Sequence, residues 1–400
     1  MTPPPPIALD EAQARLLASA APLPSETLPV EQALGRYLAA PVSARRSQPA
    51  ADLSAMDGYA MRVEDQSGPW HIVGESAAGH PFPQTLRTGE AARISTGALM
   101  PEGAGAVLLQ EEALREGELL RAAGGEPSPR HVRRAGFDFR AGETLLHLGT
   151  PLTPGRVALV LASGNAQVEV GRTPSLTVLD SGDELAADPT HCLPHQIPAS
   201  NGAMLAAMAA PFTSQVTRLG PVPDTMESLL AALEQAEGHD VLVTSGGASV
   251  GDHDLVRPAL ERWGANIEFW RVSLKPGKPL LVARRGRQLI LGLPGNPVSS
   301  FITATLFLLP LLRRLGGSGQ PLPVSVSLPL LEPLPPTGDR LEFLRARLAP
   351  GGVVALGQQD SSALCSLSVA DALIRRAARS PAAPTGEPVN VILLEQNGNA

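Results

Sequence analysis

Aromatic residues, cysteines and positive charge are all scarce in this sequence of 400 residues. Aromatics make up only 3%, which disfavours nucleic-acid binding by base stacking. Lys and Arg number 32 against 39 Asp and Glu, and the net charge of −7 argues against a nucleic-acid partner while leaving room for a local basic pocket. The two cysteines, Cys192 and Cys365, form no CxxC pair and no disulfide framework, which favours a reducing, cytoplasmic setting.

Long hydrophobic runs are also missing. The longest apolar stretch, around Phe301 to Leu312, includes two Thr and a Pro and is shorter than the roughly 20 residues that span a bilayer. The N-terminal Met-Thr-Pro-Pro-Pro-Pro has neither the basic nor the apolar region of a signal peptide. We therefore expect a cytoplasmic protein without a membrane association.

What the sequence does contain is material for several cores and many turns. Its hydrophobic fraction of 43% suits buried cores, its 39 Gly and 40 Pro suit turns and short strands, and its length predicts two to four domains. Helical spacing predicts helices over residues 7–20 and 30–38, and short apolar stretches between Gly and Pro predict a β-rich region over 60–140. From residue 175 strands alternate with helices up to a long helix over 297–315, which indicates a doubly wound α/β domain with a largely parallel sheet. After Gly316 a small β domain is expected.

Three strand-to-loop junctions of the α/β region carry polar residues, and ligands of open α/β sheets bind at such junctions. The first runs from Asp240 to Asp254, where Ser245, Gly246, Gly247 and Gly251 leave amides open for a phosphate. Asp252 and Asp254 would repel a bare phosphate, and a bridging Mg²⁺ resolves that conflict. The alternative is a glycine turn with an aspartate cap, and this loop alone does not decide between them.

The second junction, Asp180-Ser-Gly-Asp183-Glu184, crowds three carboxylates at one strand end. A solvated acidic turn is the alternative, but two acidic clusters on one sheet edge favour a divalent metal. The third junction, Leu293-Pro-Gly-Asn-Pro297, is a stiff turn presenting Asn296, and by itself a structural cap is the better interpretation. The segment Lys275-Pro-Gly-Lys-Pro279 holds two lysines on a rigid turn, which favours anion binding over a plain surface loop.

Other motifs are weaker or missing. Asp57, in Ser54-Ala-Met-Asp-Gly-Tyr-Ala60, is by itself best explained as an ordinary Asp-Gly turn. His191, Cys192 and His195 lack a convincing fourth metal ligand. The sequence has no Ser-His-Asp order, nucleophile elbow, Walker loop or GxGxxG fingerprint.

The motifs, taken in order, resemble the molybdopterin molybdenumtransferase family, which includes bacterial MoeA and the E domain of gephyrin. The resemblance covers nearly the whole chain, and the ordered set is much more specific than any single motif. The segments that carry it, besides the junctions above, are Gln32-Ala-Leu-Gly-Arg36, Ser54-Ala-Met-Asp-Gly-Tyr-Ala60, Arg93-Ile-Ser-Thr-Gly97 and Val132-Arg-Arg-Ala-Gly-Phe-Asp138.

The resemblance implies a multidomain fold of class α/β plus β. It has a central three-layer α/β molybdopterin-binding domain, two β-rich lobes and a C-terminal β barrel-like domain. On this sequence the α/β domain would comprise residues 1–22 and 173–318, and a linking β-rich domain 23–46 and 141–172. The β-rich lobe would comprise 47–140 and the C-terminal domain 319–400. The family is an elongated homodimer with a site shared between subunits.

The implied reaction inserts molybdate into the dithiolene of adenylylated molybdopterin, with Mg²⁺ or another divalent cation assisting hydrolysis of the adenylate and release of AMP. A molybdopterin adenylyltransferase would be the upstream partner. The catalytic residues implied are Asp57, Asp138, Asp183 and Glu184, of which Asp183 and Glu184 would bind the metal. The substrate-binding residues implied are Thr96, Ser245, Gly246, Gly247, Ser249, Gly251, Asp254, Lys275, Lys278, Pro294, Gly295, Asn296, Arg345 and Ser361.

The sequence departs from the family pattern at several positions. Ser181 stands where Thr is usual, Ala199 where Asp is usual, and Phe137 replaces a polar or acidic residue beside Asp138. Asp360 replaces a usual Gly beside Ser361, which brings a carboxylate to the expected molybdate pocket. Two alternatives remain open at this point. One is a molybdopterin-binding or scaffold protein without catalysis, and the other is a hydrolase of nucleotide-type pyrophosphates on the same α/β domain.

Overall fold

A six-stranded sheet forms the centre of the computed structural model, which describes residues 6–246, 255–277 and 280–394. The first four strands in its order are parallel, the fifth runs antiparallel to them, and the sixth, antiparallel to the fifth, runs in the direction of the first four again. The prediction of a largely parallel sheet is therefore confirmed, with one reversed strand: the two-residue loop between Leu281–Arg285 and Gln288–Leu293 is too short for a parallel crossover. The strand order is Gln215–Val222, Ser175–Ser181, Val241–Ser245, Gln288–Leu293, Leu281–Arg285, Asn266–Trp270.

Helices cover both faces of this sheet, so the domain has three layers. Alternate residues of each strand point to opposite faces: Val178 enters one hydrophobic core, and Leu179 enters the other. The first core packs against the helices Leu9–Ser19, Asn201–Ala209 and Pro297–Leu315. The second packs against Met226–Gln235 and Val256–Arg262.

The long helix Pro297–Leu315 is apolar enough to cross a membrane, but 83% of its most apolar window is buried inside the protein. It contains a π-helical segment, Ala304–Leu308, between the α-helical segments Pro297–Thr303 and Leu309–Leu315. Pro310 has no N–H to donate to the Leu306 carbonyl, and the buried Gln13 amide donates to that carbonyl instead at 2.8 Å. The N-terminal helix thus compensates for a proline almost 300 residues away.

The N-terminal segment forms β-rich structure, as the sequence predicts. The predicted helix over 30–38 is wrong: only a 3₁₀ turn, Val30–Gln32, forms there, and Leu38 then bridges to Val170. The helix Pro154–Ala162 packs nearby. The larger sheet of this segment has the order Ala106–Leu109, Gly58–Met61, Glu90–Ile94, Trp70–Ser76, Leu119–Ala122, Ala113–Glu116. Two-stranded pairs join Ser25–Pro29 to Gln167–Gly171, Val42–Ser43 to Thr144–Leu146, and Leu53–Ser54 to Val132–Arg133. A further pair, Leu185–Ala186 with Ile197–Pro198, lies in the α/β part of the chain.

The C-terminal segment forms another sheet, of order Leu274–Lys275, Leu341–Ala349, Ala372–Arg376, Pro388–Leu393, Ser325–Pro329, with Gly352–Ala355 paired to Leu341–Ala349. A short helix, Leu364–Ser368, follows the loop at 356–363. The strand Leu274–Lys275 belongs to the α/β part of the sequence but pairs here, and so ties the two parts together. The predicted class, multidomain α/β plus β, is confirmed, while the predicted domain bounds stay a prediction.

Candidate functional site

Three turns meet at the carboxyl edge of the central sheet. Asp180, Ser245 and Leu293 are neighbours in register at the ends of three parallel strands. A Cβ on Gly246 would lie 2.7 Å from the Ser181 carbonyl oxygen, and one on Gly295 would lie 3.6 Å from the Gly246 Cα. The backbones of the three turns therefore touch, and Gly246, with a φ of +94°, is a position where a side chain would not fit.

An acidic cluster follows the first of these strands. Asp183 and Glu184 are exposed, and Asp224 lies beside them because its backbone N–H donates to Asp183 Oδ1 at 3.1 Å. Burial raises the pKa of Asp224, and the negative charges of Asp183 and Glu184 raise it further. Asp224 is not among the site residues that were predicted from the sequence. The usable signal was its position directly after the strand Gln215–Val222, at the same sheet edge.

This cluster fits a divalent cation. Carboxylate oxygens are the ligands that Mg²⁺ prefers, and repulsion among three carboxylates is the electrostatic situation that a cation relieves. Among the described residues no group of three or more His, Cys, Asp or Glu is arranged to hold a metal by itself. Mg²⁺ commonly takes one or two carboxylates and completes its shell with substrate phosphates and water, so the residues present are compatible with such a site.

The turn at 293–297 connects the sheet edge to the C-terminal segment. Asn201 Nδ2 donates to the Gly295 carbonyl at 2.6 Å, and Asn296 Nδ2 donates to Ser361 Oγ at 2.8 Å. The Val298 N–H donates to the Ser361 carbonyl at 3.1 Å. Asn296 occupies the N-cap position, but its side chain makes no capping bond and instead holds the loop that carries Ser361.

A cavity of about 350 Å³ lies between this loop and the strand Leu274–Lys275. Among the described residues, four charged side chains line it, two of each sign, together with Ser361. Asp360 turns its carboxylate towards Ser362, whose hydroxyl and N–H hold the pKa of Asp360 below its usual value. The charged lining residues are Lys275, Arg340, Glu342 and Asp360.

Arg345 supports this loop from below. The residue is 1% exposed, and its guanidinium donates to the carbonyl oxygens of Gln358 and Asp360 at 2.9 Å and of Ala363 at 3.2 Å. Burial lowers the pKa of Arg345, and the Asp360 carboxylate opposes that effect. The role of Arg345 as a substrate ligand stays a prediction, and what the geometry assigns to it is the shape of the loop that carries Ser361.

The other predicted catalytic residues lie in the N-terminal β-rich part. Asp57 Oδ1 accepts the Thr96 N–H at 2.6 Å, and this bond is the main reason that the pKa of Asp57 is lowered. Asp138 is exposed on a turn, and its backbone N–H donates to the Gln48 carbonyl. These bonds stay within the N-terminal part and do not reach the acidic cluster. Five predicted site residues lie outside the described residues: Gly247, Ser249, Gly251, Asp254 and Lys278.

Asp180 is a buried carboxyl group next to this site. It is 4% exposed, its Oδ1 atom has no hydrogen-bond partner among the described residues, and a Cβ on Gly202 would lie 2.0 Å from its Oδ2. Burial raises the pKa of Asp180 from 3.8 to about 6, against the opposing charge of Arg218 and the Gly202 N–H. The folded protein therefore holds a proton on Asp180 at pH values where the unfolded chain has lost it, so this group lowers stability as the pH rises from about 4 to 6.

We expect Asp180→Asn to stabilise the protein at neutral pH. At 1.36 kcal/mol per pKa unit, the gain above pH 6 should reach about 2–3 kcal/mol and disappear below about pH 4. The asparagine Oδ1 can still accept the Gly202 N–H. Urea unfolding midpoints at pH 4 and pH 7.5 measure this difference, and a variant as pH-dependent as the parent would contradict it.

Comparison with known proteins places the chain in a family. Three family models match it: the MoeA N-terminal region (domain I and II) over residues 7–164, a probable molybdopterin binding domain over 177–314, and the MoeA C-terminal region (domain IV) over 327–394. The molybdopterin molybdenumtransferase of Haemophilus influenzae is 34% identical over 323 residues, which cover 78% of this chain and 79% of that protein. The enzyme of the same name from Bacillus subtilis is 31% identical over 98% of this chain and 96% of its own length.

Solved structures agree with this assignment. A crystal structure of the molybdopterin biosynthesis MoeA protein from Pyrococcus horikoshii OT3 matches 98% of this chain and 100% of its own with a TM-score of 0.84 and 26% identity. A second structure of the Pyrococcus protein has a TM-score of 0.79 and 29% identity over 98% of this chain and 100% of its own. The chain belongs to the molybdopterin molybdenumtransferase (MoeA) family of enzymes.

Proposed function

We propose that this enzyme takes adenylylated molybdopterin and molybdate, hydrolyses the adenylate with the help of a divalent cation, and leaves molybdenum on the dithiolene. The observation that carries the proposal is the adjacency of two chemically different sites. The acidic cluster follows the central sheet, and the turn at 293–297 joins the same sheet edge to the cavity beside Ser361. One site suits a metal-bound pyrophosphate, and the other suits a tetrahedral oxyanion.

At the acidic cluster, Asp183 and Glu184 would hold a divalent cation, with Asp224 beside them. When bound, the cation supplies charge neutralisation for the two phosphates. The turn at 245–246 lies at the same sheet edge, but the Gly246 amide is not open as the sequence predicts: its N–H donates to the Leu293 carbonyl at 3.3 Å and ties this turn to the one at 293–297. Hydrolysis forms a bond from a water oxygen to phosphorus and breaks the phosphoanhydride, and AMP leaves with the bridging oxygen.

At the cavity, the Lys275 ammonium and Arg340 guanidinium would attract molybdate, and the Ser361 hydroxyl would fix its orientation. Transfer to the dithiolene needs no change of oxidation state. Two Mo–S bonds form, and one oxo group leaves as water with the two thiol protons. The adenylylated substrate would come from an adenylyltransferase that acts on molybdopterin.

The test is AMP release from adenylylated molybdopterin with Mg²⁺, with and without molybdate, followed by reconstitution of a cofactor-free molybdoenzyme. Molybdate-dependent release with reconstitution is the expected result. Release of AMP without molybdenum transfer would instead identify a pyrophosphate hydrolase. Tight pterin binding without release would identify a binding or scaffold protein.

We further propose that the working form is a homodimer in which Asp57 and Asp138 act on the partner's acidic cluster. Their hydrogen bonds stay within the N-terminal part of their own chain. Their neighbours Met56 and Phe137 are large apolar residues that are 42% and 73% exposed, as residues are on surfaces that bind another protein.

Hybrid dimers test this arrangement. A dimer of one Asp57→Asn subunit and one Asp183→Asn subunit, purified through two different tags, should keep about half of the wild-type activity. One of its two sites then carries both substitutions and the other carries neither. If Asp57 instead acts within its own subunit, both sites of the hybrid are damaged and the activity stays at the level of the single variants.

A further inference from the structure

The cavity beside Ser361, called the oxyanion cavity below, contains a carboxylate that competes with an oxyanion for Lys275. Among the described residues that line it, the positive charges of Lys275 and Arg340 are balanced by Glu342 and Asp360. Asp360 is directed to Ser362, whereas Glu342 Oε1 accepts from Lys275 Nζ at 3.2 Å. Within the part of the chain that the structure describes, the ion pair across this cavity therefore engages the ammonium group that the incoming oxyanion would need.

The fold enforces this pairing. The strand Leu274–Lys275 runs parallel to the start of Leu341–Ala349, with Lys275 in register with Glu342. Arg340 Nη1 donates to the Leu274 carbonyl at 3.3 Å, which also holds the two strands together. The Glu342 side chain is only 12% exposed, whereas the Lys275 side chain is 55% exposed. The carboxylate is thus held in place, and the half-exposed ammonium group, on its flexible stem, can leave it for another partner.

We propose that Glu342 is an affinity-determining residue of this cavity, which competes with the oxyanion for Lys275 and thereby sets how tightly tetrahedral dianions bind. The proposal rests on the proposed function of the cavity. When an oxyanion takes the Lys275 ammonium group, Glu342 keeps the Gly338 N–H, at 3.4 Å from Oε1, as its remaining partner among the described residues. The carboxylate and the dianion then lie in one small cavity and repel each other.

This competition has a consequence for turnover. Glu342 keeps the oxyanion from binding so tightly that it resists transfer, and it takes Lys275 back when the oxyanion leaves. No covalent step is involved. Replacing the carboxylate by the amide of equal size removes both the competing charge and the repulsion, so the oxyanion should bind more tightly.

The experiment is calorimetric titration of the full-length wild-type protein and of Glu342→Gln with molybdate, with sulfate as a second tetrahedral dianion. We expect molybdate to bind Glu342→Gln roughly three- to tenfold more tightly, since one like charge is removed from a partly solvated cavity. Sulfate binding should tighten in the same direction. Unchanged or weaker binding of molybdate would overturn the proposal.

Two comparisons separate competition for Lys275 from a simple change of net charge. Asp360→Asn removes the same charge from the same cavity but leaves the Lys275–Glu342 pair in place, so its gain should be smaller. In a Lys275→Ala background, Glu342→Gln should increase the affinity for molybdate much less than it does in the wild type. An equal increase in both backgrounds would show that Glu342 acts only through the net charge of the cavity, and would refute the competition.

The result is also distinguishable from failure of the proposed function. Wild-type protein that binds molybdate while Glu342→Gln shows no gain refutes only the role of Glu342. If neither protein binds molybdate, both the cavity's proposed ligand and this inference fail. Thermal unfolding of each variant checks the fold, and Glu342→Asp, which keeps the charge but withdraws it by one methylene, should fall between the wild type and Glu342→Gln.

Discussion

Asp183→Asn should reduce the rate of AMP release by about a hundredfold or more, because in the proposed mechanism it would remove a charged ligand of the divalent cation where phosphate charge must be neutralised. The asparagine has the same shape, and its Oδ1 can still accept the Asp224 N–H that Asp183 accepts at 3.1 Å. The fold should therefore be kept. Single-turnover AMP release at saturating Mg²⁺ measures the effect.

Asp188→Asn is the matched control. Asp188 lies five residues further on, and its carboxylate bonds locally to Thr190 and His191 rather than to the acidic cluster. Its removal changes the net charge by the same amount and should leave AMP release near the wild-type rate. Wild-type turnover in Asp183→Asn, or equal losses in both variants, would remove the metal assignment.

Arg345→Met should weaken molybdate binding by tenfold or more and lower the free energy of unfolding by about 2–4 kcal/mol. The substitution leaves the carbonyl of Ala363 without the guanidinium and weakens the hold on Gln358 and Asp360, so the loop that presents Ser361 loses its support. The cost stays moderate because Gln358 and Asp360 keep other donors, Ser366 and the Ala363 N–H.

Arg345→Lys distinguishes the contribution of the positive charge from that of the several N–H donors of the planar guanidinium. A lysine keeps the positive charge but cannot reach three carbonyls in one plane, so we expect an intermediate loss of both stability and molybdate binding. Urea unfolding and molybdate titration on the same preparations measure the two effects. Wild-type stability and binding in Arg345→Met would show that the loop holds its shape without this residue.

The resemblance and the local patterns identified the turns that meet at the sheet edge because each turn is local, while the roles of their residues stay predictions. The turns at 181–184, 245–246 and 293–297 and the lysine turn are each recognisable from a few adjacent residues, since Gly, Pro and Asp restrict the backbone within one turn. The helix over 297–315 follows from its continuous apolar pattern. The predicted helix over 30–38 was wrong because that prediction used local spacing alone. Apolar spacing over nine residues contains no information about the bridge from Leu38 to Val170.

Contacts between distant segments were beyond that reasoning. Asp224 was missed because its closeness to Asp183 depends on the pairing of two strands, not on its own neighbours. The strand Leu274–Lys275 pairs with residues 67 positions later, as the Lys275–Glu342 bond shows, and no pattern in either segment specifies that partner. The role of Arg345 as a ligand stays a prediction from the resemblance, and its hold on the carbonyls of one loop was visible only in the structure.

The sequence by itself determined the class of fold, the family and the chemical character of each turn, because these depend on residue type and short-range spacing. Only the tertiary structure decided that three carboxylates crowd together, that Glu342 engages Lys275 in the cavity beside Ser361, and that Asp180 is buried without a partner for Oδ1 among the described residues. Charges interact through space, and desolvation depends on what packs around a group. Both are therefore set by the folded arrangement and not by position along the chain.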